Sequence, residues 1–159
     1  MAAGVTLRKE KLAEFRAYME NALAHDVAQS RHVNELFVDG AVTARGTTPE
    51  LVATLDRAGP FGSGNPEPVL ALPSHQLVFA DEVGQAHLRV RFKAGDGAVV
   101  NGVAFRAVGQ KLGNALIAHR GQVLHVAGSL AVDRYQGTER VQLRVLDVAV
   151  PDHGPAVIR

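Results

Sequence analysis

Two stretches of the sequence alternate cation with apolar residue in a way that could hold a polyanion. In HLRVRFK, residues 87 to 93, His87, Arg89, Arg91 and Lys93 fall on every second position, with Leu88, Val90 and Phe92 between them. Side chains alternate across a strand, so one face of this stretch is cationic and the other is core. The pattern returns in residues 140 to 150, where Arg140, Gln142 and Arg144 oppose Val141, Leu143 and Val145. Just before it, DRYQGTER places Tyr135 between Arg134 and Arg140. Guanidinium and ammonium groups hold phosphates, and an aromatic ring offers a face on which an unpaired base stacks for roughly 1–3 kcal/mol. The chemistry this suggests is capture of single-stranded nucleic acid, with Arg106 and Lys111 as further cations nearby.

The charge balance agrees. Through residue 82 there are seven Lys and Arg against eleven Asp and Glu, a balance of −4; from residue 83 the count is ten against five, or +5. The net +1 of the whole chain hides a basic C-terminal half, which favours encounter with phosphate polymers.

Other chemistries lack their residues. The histidines, His25, His32, His75, His87, His119, His125 and His153, show no metal-ligand spacing, and the adjacent carboxylates Asp81 and Glu82 point to opposite faces of a strand. FGSGN is not a phosphate-binding loop, because no Lys-Ser/Thr and no helix follow it. Absence of cysteine excludes disulfides and thiolate metal sites. No cofactor is expected in this chain. No apolar run approaches the roughly 18 residues of a membrane span, and MAAGVTLRKEK lacks the apolar centre of a signal peptide. A cytoplasmic protein without membrane contact is the expectation.

The elements that must carry these residues follow from periodicity. Leu12, Phe15, Met19 and Leu23 recur at helical spacing and predict an amphipathic helix over about residues 7 to 25, with Thr6 as N-cap. NELFVD, 34 to 39, reads as a short strand. Thr48-Pro49-Glu50 predicts a second helix to about Ala58, with Gly59 as its left-handed stop and Pro60 barring continuation. Beyond the corner PFGSGNPEP the period becomes two. Strands are predicted over 75 to 82, 87 to 93 and 99 to 106, then a short helix within 107 to 119 weakened by two glycines, then strands over 123 to 133 and 140 to 150.

Three strands, a helix and two strands are the order of the OB-fold, a five-stranded Greek-key barrel with one helix between strands three and four. The fold class expected is therefore an α+β N-terminal segment followed by an all-β OB barrel. An OB-fold lays single strands across the face centred on its second and third strands, between the loops joining strands one to two and four to five. Arg89, Arg91, Lys93, Arg106, Lys111, Arg134, Tyr135 and Arg140 are the candidate nucleic-acid contacts. The alternative reading is an interaction module whose barrel docks on another part of its own chain or on a partner protein, which predicts an apolar strand face.

Residues 60 to 68, PFGSGNPEP, resemble the motif P-F-G-x-G-N-P-E-P of the RecJ family of single-strand-specific 5′ to 3′ DNA exonucleases. Residues 103 to 148 are similar to that family's C-terminal OB domain, with Tyr135 where relatives often carry Trp. Met1-Ala2-Ala3-Gly4 resembles the end of the family's phosphate motif G-G-H-x-x-A-A-G, making Gly4 a remnant of it. The resemblance implies a C-terminal portion of such a nuclease: residues 1–59 ending the DHH-associated domain, 60–74 a linking corner, 75–150 the OB domain and 151–159 a tail. It further implies single-stranded DNA and the missing catalytic DHH domain as partners, manganese or magnesium in the full-length enzyme, and roles in DNA repair and recombination. The catalytic metal ligands are absent from this sequence, so no catalytic residue and no metal site is assigned to it.

Overall fold

The structure, a computed structural model, describes residues 4–32, 36–135 and 138–151, with backbone alone at residues 25, 27–32, 134, 135 and 138. Residues 1–36 and 37–159 form two compact units.

In the first unit a 3-10 turn over Lys9–Lys11 leads into helix α1, Leu12–His32. The helix starts and ends later than its apolar spacing predicts. Thr6 does not cap it; Arg8 stands before the 3-10 turn with no side-chain cap bond. Thr6 lies too far upstream to reach the first free N–H groups, which a cap must do within about three residues. Leu12, Met19 and Leu23 are exposed.

The second unit does not begin with the expected strand. Among residues 36–39 there is no strand; residues 34 and 35 lie outside the described residues. Strand β1 is only Gly40–Ala41, paired parallel to Leu70 and Ala71. Asp39 sets where pairing begins: its N–H donates to Val69 O at 2.7 Å and its Oδ2 accepts the Val69 N–H at 2.8 Å. Leu36, Phe37 and Val38, the apolar part of the expected strand, are exposed.

Helix α2, Pro49–Asp56, has the predicted start, with Thr48 Oγ1 accepting the Leu51 N–H at 3.2 Å. The Glu50 carboxyl is held below its ordinary value by its own backbone N–H and by the Thr48 hydroxyl. The stop differs: Gly59 is not left-handed. Its N–H donates to Asp56 O at 3.0 Å, and the Gly59–Pro60 peptide is cis.

Five strands then close a barrel: β2 Leu70–Val83, β3 His87–Lys93, β4 Val99–Ala104, β5 Val123–Tyr135 and β6 Thr138–Ala149. The ring runs β2-β3-β4-β6-β5 and back to β2, every pair antiparallel except β4 with β6. Helix α3, Lys111–Ala118, follows β4 and packs on β2 and β6. This is the OB order and architecture expected.

Strand β2 begins five residues before the predicted strand, inside the expected 60–74 corner. It reaches both sides of the barrel by bending twice. Leu72 and His75 face Val126 and Leu124, so Pro73-Ser74 bulge outward, with Ser74 at φ 55°. Leu77 and Phe79 face Phe92 and Arg91, which leaves Val78 as an extra exposed residue. Each bulge shifts which residues point inward, so simple alternation fails along this strand.

The core is Leu72, Leu77, Leu88, Val90, Phe92, Leu116, Leu124, Val126 and Leu143, with Ala44 entering from the segment before α2. Residues 37–59 are thus part of the barrel unit. Gly102 is required where β4 meets β6, since a Cβ there would lie 2.8 Å from Leu143 O. Gly113 does not merely weaken α3: a Cβ would lie 2.0 Å from Ala107 O, so the glycine lets the helix sit against the chain that precedes it.

Candidate nucleic-acid interface

Alternation on β3 is realised in full. Leu88, Val90 and Phe92 are completely buried, while Arg89, Arg91 and Lys93 are exposed on the outer face. The register carries this face across the sheet. Arg91 lies opposite Asn101, and Asn101 opposite Gln142; Arg89 lies opposite Val103, and Val103 opposite Arg144. In the sheet order β3-β4-β6 the two cation-bearing strands flank β4, and the register puts their outward residues on one surface.

A groove of about 280 Å³ opens there, lined by Arg89, Arg91, Asn101, Asp133, Arg140 and Gln142, with Gly102 in its floor. The Arg91 Nε donates to Asn101 Oδ1 at 3.1 Å, which orients the guanidinium along the sheet. Among the described residues no carboxylate pairs with Arg89, Arg91, Lys93 or Arg140. Three other arginines of the barrel unit are paired: Arg45 with Asp96 at 3.0 Å, Arg120 with Asp81 at 2.8 Å and Arg144 with Glu67 at 3.2 Å. Among the described residues Arg89, Arg91 and Arg140 outnumber the one carboxylate of the groove, Asp133, so the groove keeps a net positive field for an anionic ligand.

The sequence-derived candidates divide. Arg89, Arg91 and Arg140 meet in the groove. Lys93 shares their strand face without lining it. Arg106 and Lys111 are exposed beyond the end of β4 and at the start of α3, outside the groove. The side chains of Arg134 and Tyr135 lie outside the described residues, and only their backbone, at the end of β5, is placed. Gly4 is exposed in the first unit, ahead of its helix. Asn101 and Asp133 are groove residues that the reading of the sequence passed over. Asn101 was legible as the outward position of its strand, whereas Asp133 became a groove residue only through its pairing with Arg140.

Four histidines serve the backbone. His75 Nε2 accepts the Ala44 N–H at 3.1 Å, His125 Nδ1 the Ser74 N–H at 3.1 Å and His87 Nδ1 the Arg106 N–H at 2.9 Å; His119 Nδ1 contacts Ala115 O at 2.8 Å. Among the described residues no group of three or more His, Asp or Glu could hold a metal ion, so these residues do not fit one.

The corner is built as a clamp. Gly62 and Asn65 exchange main-chain hydrogen bonds at 2.7 and 3.1 Å, and Asn65 Nδ2 donates to Ala58 O at 3.0 Å and Pro60 O at 3.2 Å. Glu67 takes Arg144 of β6. The corner thereby ties the end of α2 to the barrel.

Residues 38–147, well over half of the chain, match the family model of the RecJ OB domain. The chain belongs to the RecJ OB domain family. This RecJ-type chain is 27% identical over 146 residues to the single-stranded-DNA-specific exonuclease RecJ of Escherichia coli strain K12, covering 90% of the chain and 24% of the relative. With the protein of the same description from Dickeya dadantii strain 3937 it shares 28% over 148 residues, 91% of the chain and 24% of the relative. It therefore spans about a quarter of the length of the curated relatives it matches. Two structures of RecJ from Thermus thermophilus, in complex with Mg²⁺ and with Mn²⁺, share its fold. Their TM-scores are 0.59 and 0.60 at 21% and 23% identity, over 92% and 94% of this chain and 21% and 20% of theirs. No helix among the described residues is long and apolar enough to cross a membrane.

Proposed function

We propose that this RecJ OB module captures single-stranded DNA on the outer face of β3, β4 and β6 and positions it for a nuclease centre carried by other parts of a parent chain. The observation that carries the reading is the groove in which Arg89, Arg91 and Arg140 converge without a carboxylate partner among the described residues. It is supported by the relatives' description as exonucleases specific for single-stranded DNA. Flexible single strands can bend into such a groove and expose their bases, whereas a duplex presents a stiff, wide cylinder.

In this reading residues 1–36 end the DHH-associated domain, and residues 37–59, the corner that follows them and the strands from Leu70 onward together form the strand-binding unit. Manganese or magnesium belongs to the catalytic domain of the parent, where it would supply an activated water; this chain supplies grip and direction. Its setting is cytoplasmic DNA repair and recombination.

The test is competition: a labelled oligonucleotide bound to the 159-residue chain is challenged with unlabelled single strand and with the matching duplex, both by anisotropy. Preferential displacement by the single strand supports the reading, and equal displacement or absence of binding refutes it.

A second reading, docking on the nuclease core, is favoured by one feature. A groove of about 320 Å³ between α2, the corner and the β5–β6 hairpin is lined by Val52, Leu55, Phe61, Leu130 and Val132 together with the charged Asp56, Glu67, Glu139 and Arg144.

A further inference from the structure

We infer that Phe105, presented by His87, is a base-stacking residue at the end of the cationic strand face. This inference rests on the single-strand reading and adds to it the apolar half of the contact. Phe105 is the residue after β4 and is 53% exposed. The ring is held in place while exposed. It meets His87 edge-on, with ring centres 5.3 Å apart and planes at 72°. The next residue, Arg106, is left-handed at φ 52°, a conformation unfavourable to an L side chain, and its N–H donates to His87 Nδ1 at 2.9 Å. One histidine thus fixes both the backbone turn and the ring that precedes it. Its own position continues the row of Arg89, Arg91 and Lys93 on the outer face of β3, so the aromatic pair stands in line with the cations.

Such an arrangement fits an unpaired nucleobase, which needs a flat apolar face beside groups that hold its phosphates. Stacking releases no counterions, so it contributes affinity without contributing to the salt slope. That separates Phe105 from every arginine of the groove.

The experiment is oligonucleotide binding by the full chain and its variants Phe105→Ala, Phe105→Leu and Phe105→Trp, each at several salt concentrations and each checked for an unchanged melting transition. Alanine and leucine are expected to weaken binding by about fivefold to hundredfold, the range of one lost base stack, with the slope of log affinity against log salt unchanged. The chain contains no tryptophan, so emission from Phe105→Trp reports this position alone and is expected to be quenched as the strand binds. Unchanged affinity in Phe105→Leu, or emission indifferent to the oligonucleotide, overturns the inference while leaving the cationic groove standing. Failure of the parent chain to bind any single strand would overturn both.

Discussion

His75 and Ala44, 31 positions apart, are joined by a buried hydrogen bond in which the imidazole Nε2 accepts the Ala44 N–H at 3.1 Å. A backbone N–H can only donate, so the ring proton sits on Nδ1, where it donates to Pro73 O at 2.8 Å. The ring joins the segment before α2 to the first bend of β2. His75→Phe keeps the ring but leaves the Ala44 N–H without an acceptor, and is expected to cost about 1–3 kcal/mol in chemical denaturation. A loss of under about 0.5 kcal/mol would mean that this bond does not hold the segment to the barrel.

The corner is expected to fail through Asn65 rather than through its glycines. Asn65→Ala removes two hydrogen bonds, to Ala58 O and Pro60 O, and lowers stability by about 1–2 kcal/mol. Gly64→Ala meets open space at a backbone conformation without positive φ, and the same melting experiment is expected to show little change.

Acid sensitivity is expected at Asp96. Its carboxyl is held below the ordinary 3.8 chiefly by the Ala98 N–H and then by Arg45, so the folded state binds that proton less readily than the unfolded chain. The contribution is complete above the unfolded carboxylate value and disappears as pH falls through the folded one. Between about pH 5 and about pH 2 the melting temperature of Asp96→Asn is expected to fall less than that of the parent. Parallel curves would contradict this.

Much of this architecture was legible in the sequence, and the failures have a common cause. Alternation in residues 87–93 gave the correct inward and outward faces because β3 runs without a bulge and Leu88, Val90 and Phe92 have no competing environment. The same rule could not follow β2, where Ser74 and Val78 interrupt the pairing, or the end of β6, where Gly128 faces Val145 and Ala127 faces Asp147, leaving Leu146 exposed. Apolar character at Leu36, Phe37 and Val38 suggested a strand, but the edge available to this segment is two residues long. Of the candidate site, the cations could be read locally. That Asp133 stands among them, and that Phe105 stands in line with them, depends on strand register and on one hydrogen bond to His87, neither of which has a local signal.

Asp133 offers a test of sign. Its carboxylate lines the groove opposite Arg140 and forms no ion pair there among the described residues. Removing a negative charge from a phosphate track raises affinity. Asp133→Asn is expected to bind single strands about two- to tenfold more tightly at low salt, with the gain fading as salt screens the field. Weaker binding would place the strand elsewhere.

The most direct test of the central claim is the slope of log affinity against log salt for a single-stranded oligonucleotide, compared between the parent chain and Arg89→Ala/Arg91→Ala. Each phosphate contact contributes about 0.7 to the slope for single strands, so loss of two cations is expected to flatten it by about 1.4 and to lower affinity at low salt. An unchanged slope with unchanged affinity would contradict the assignment of this face to the DNA backbone.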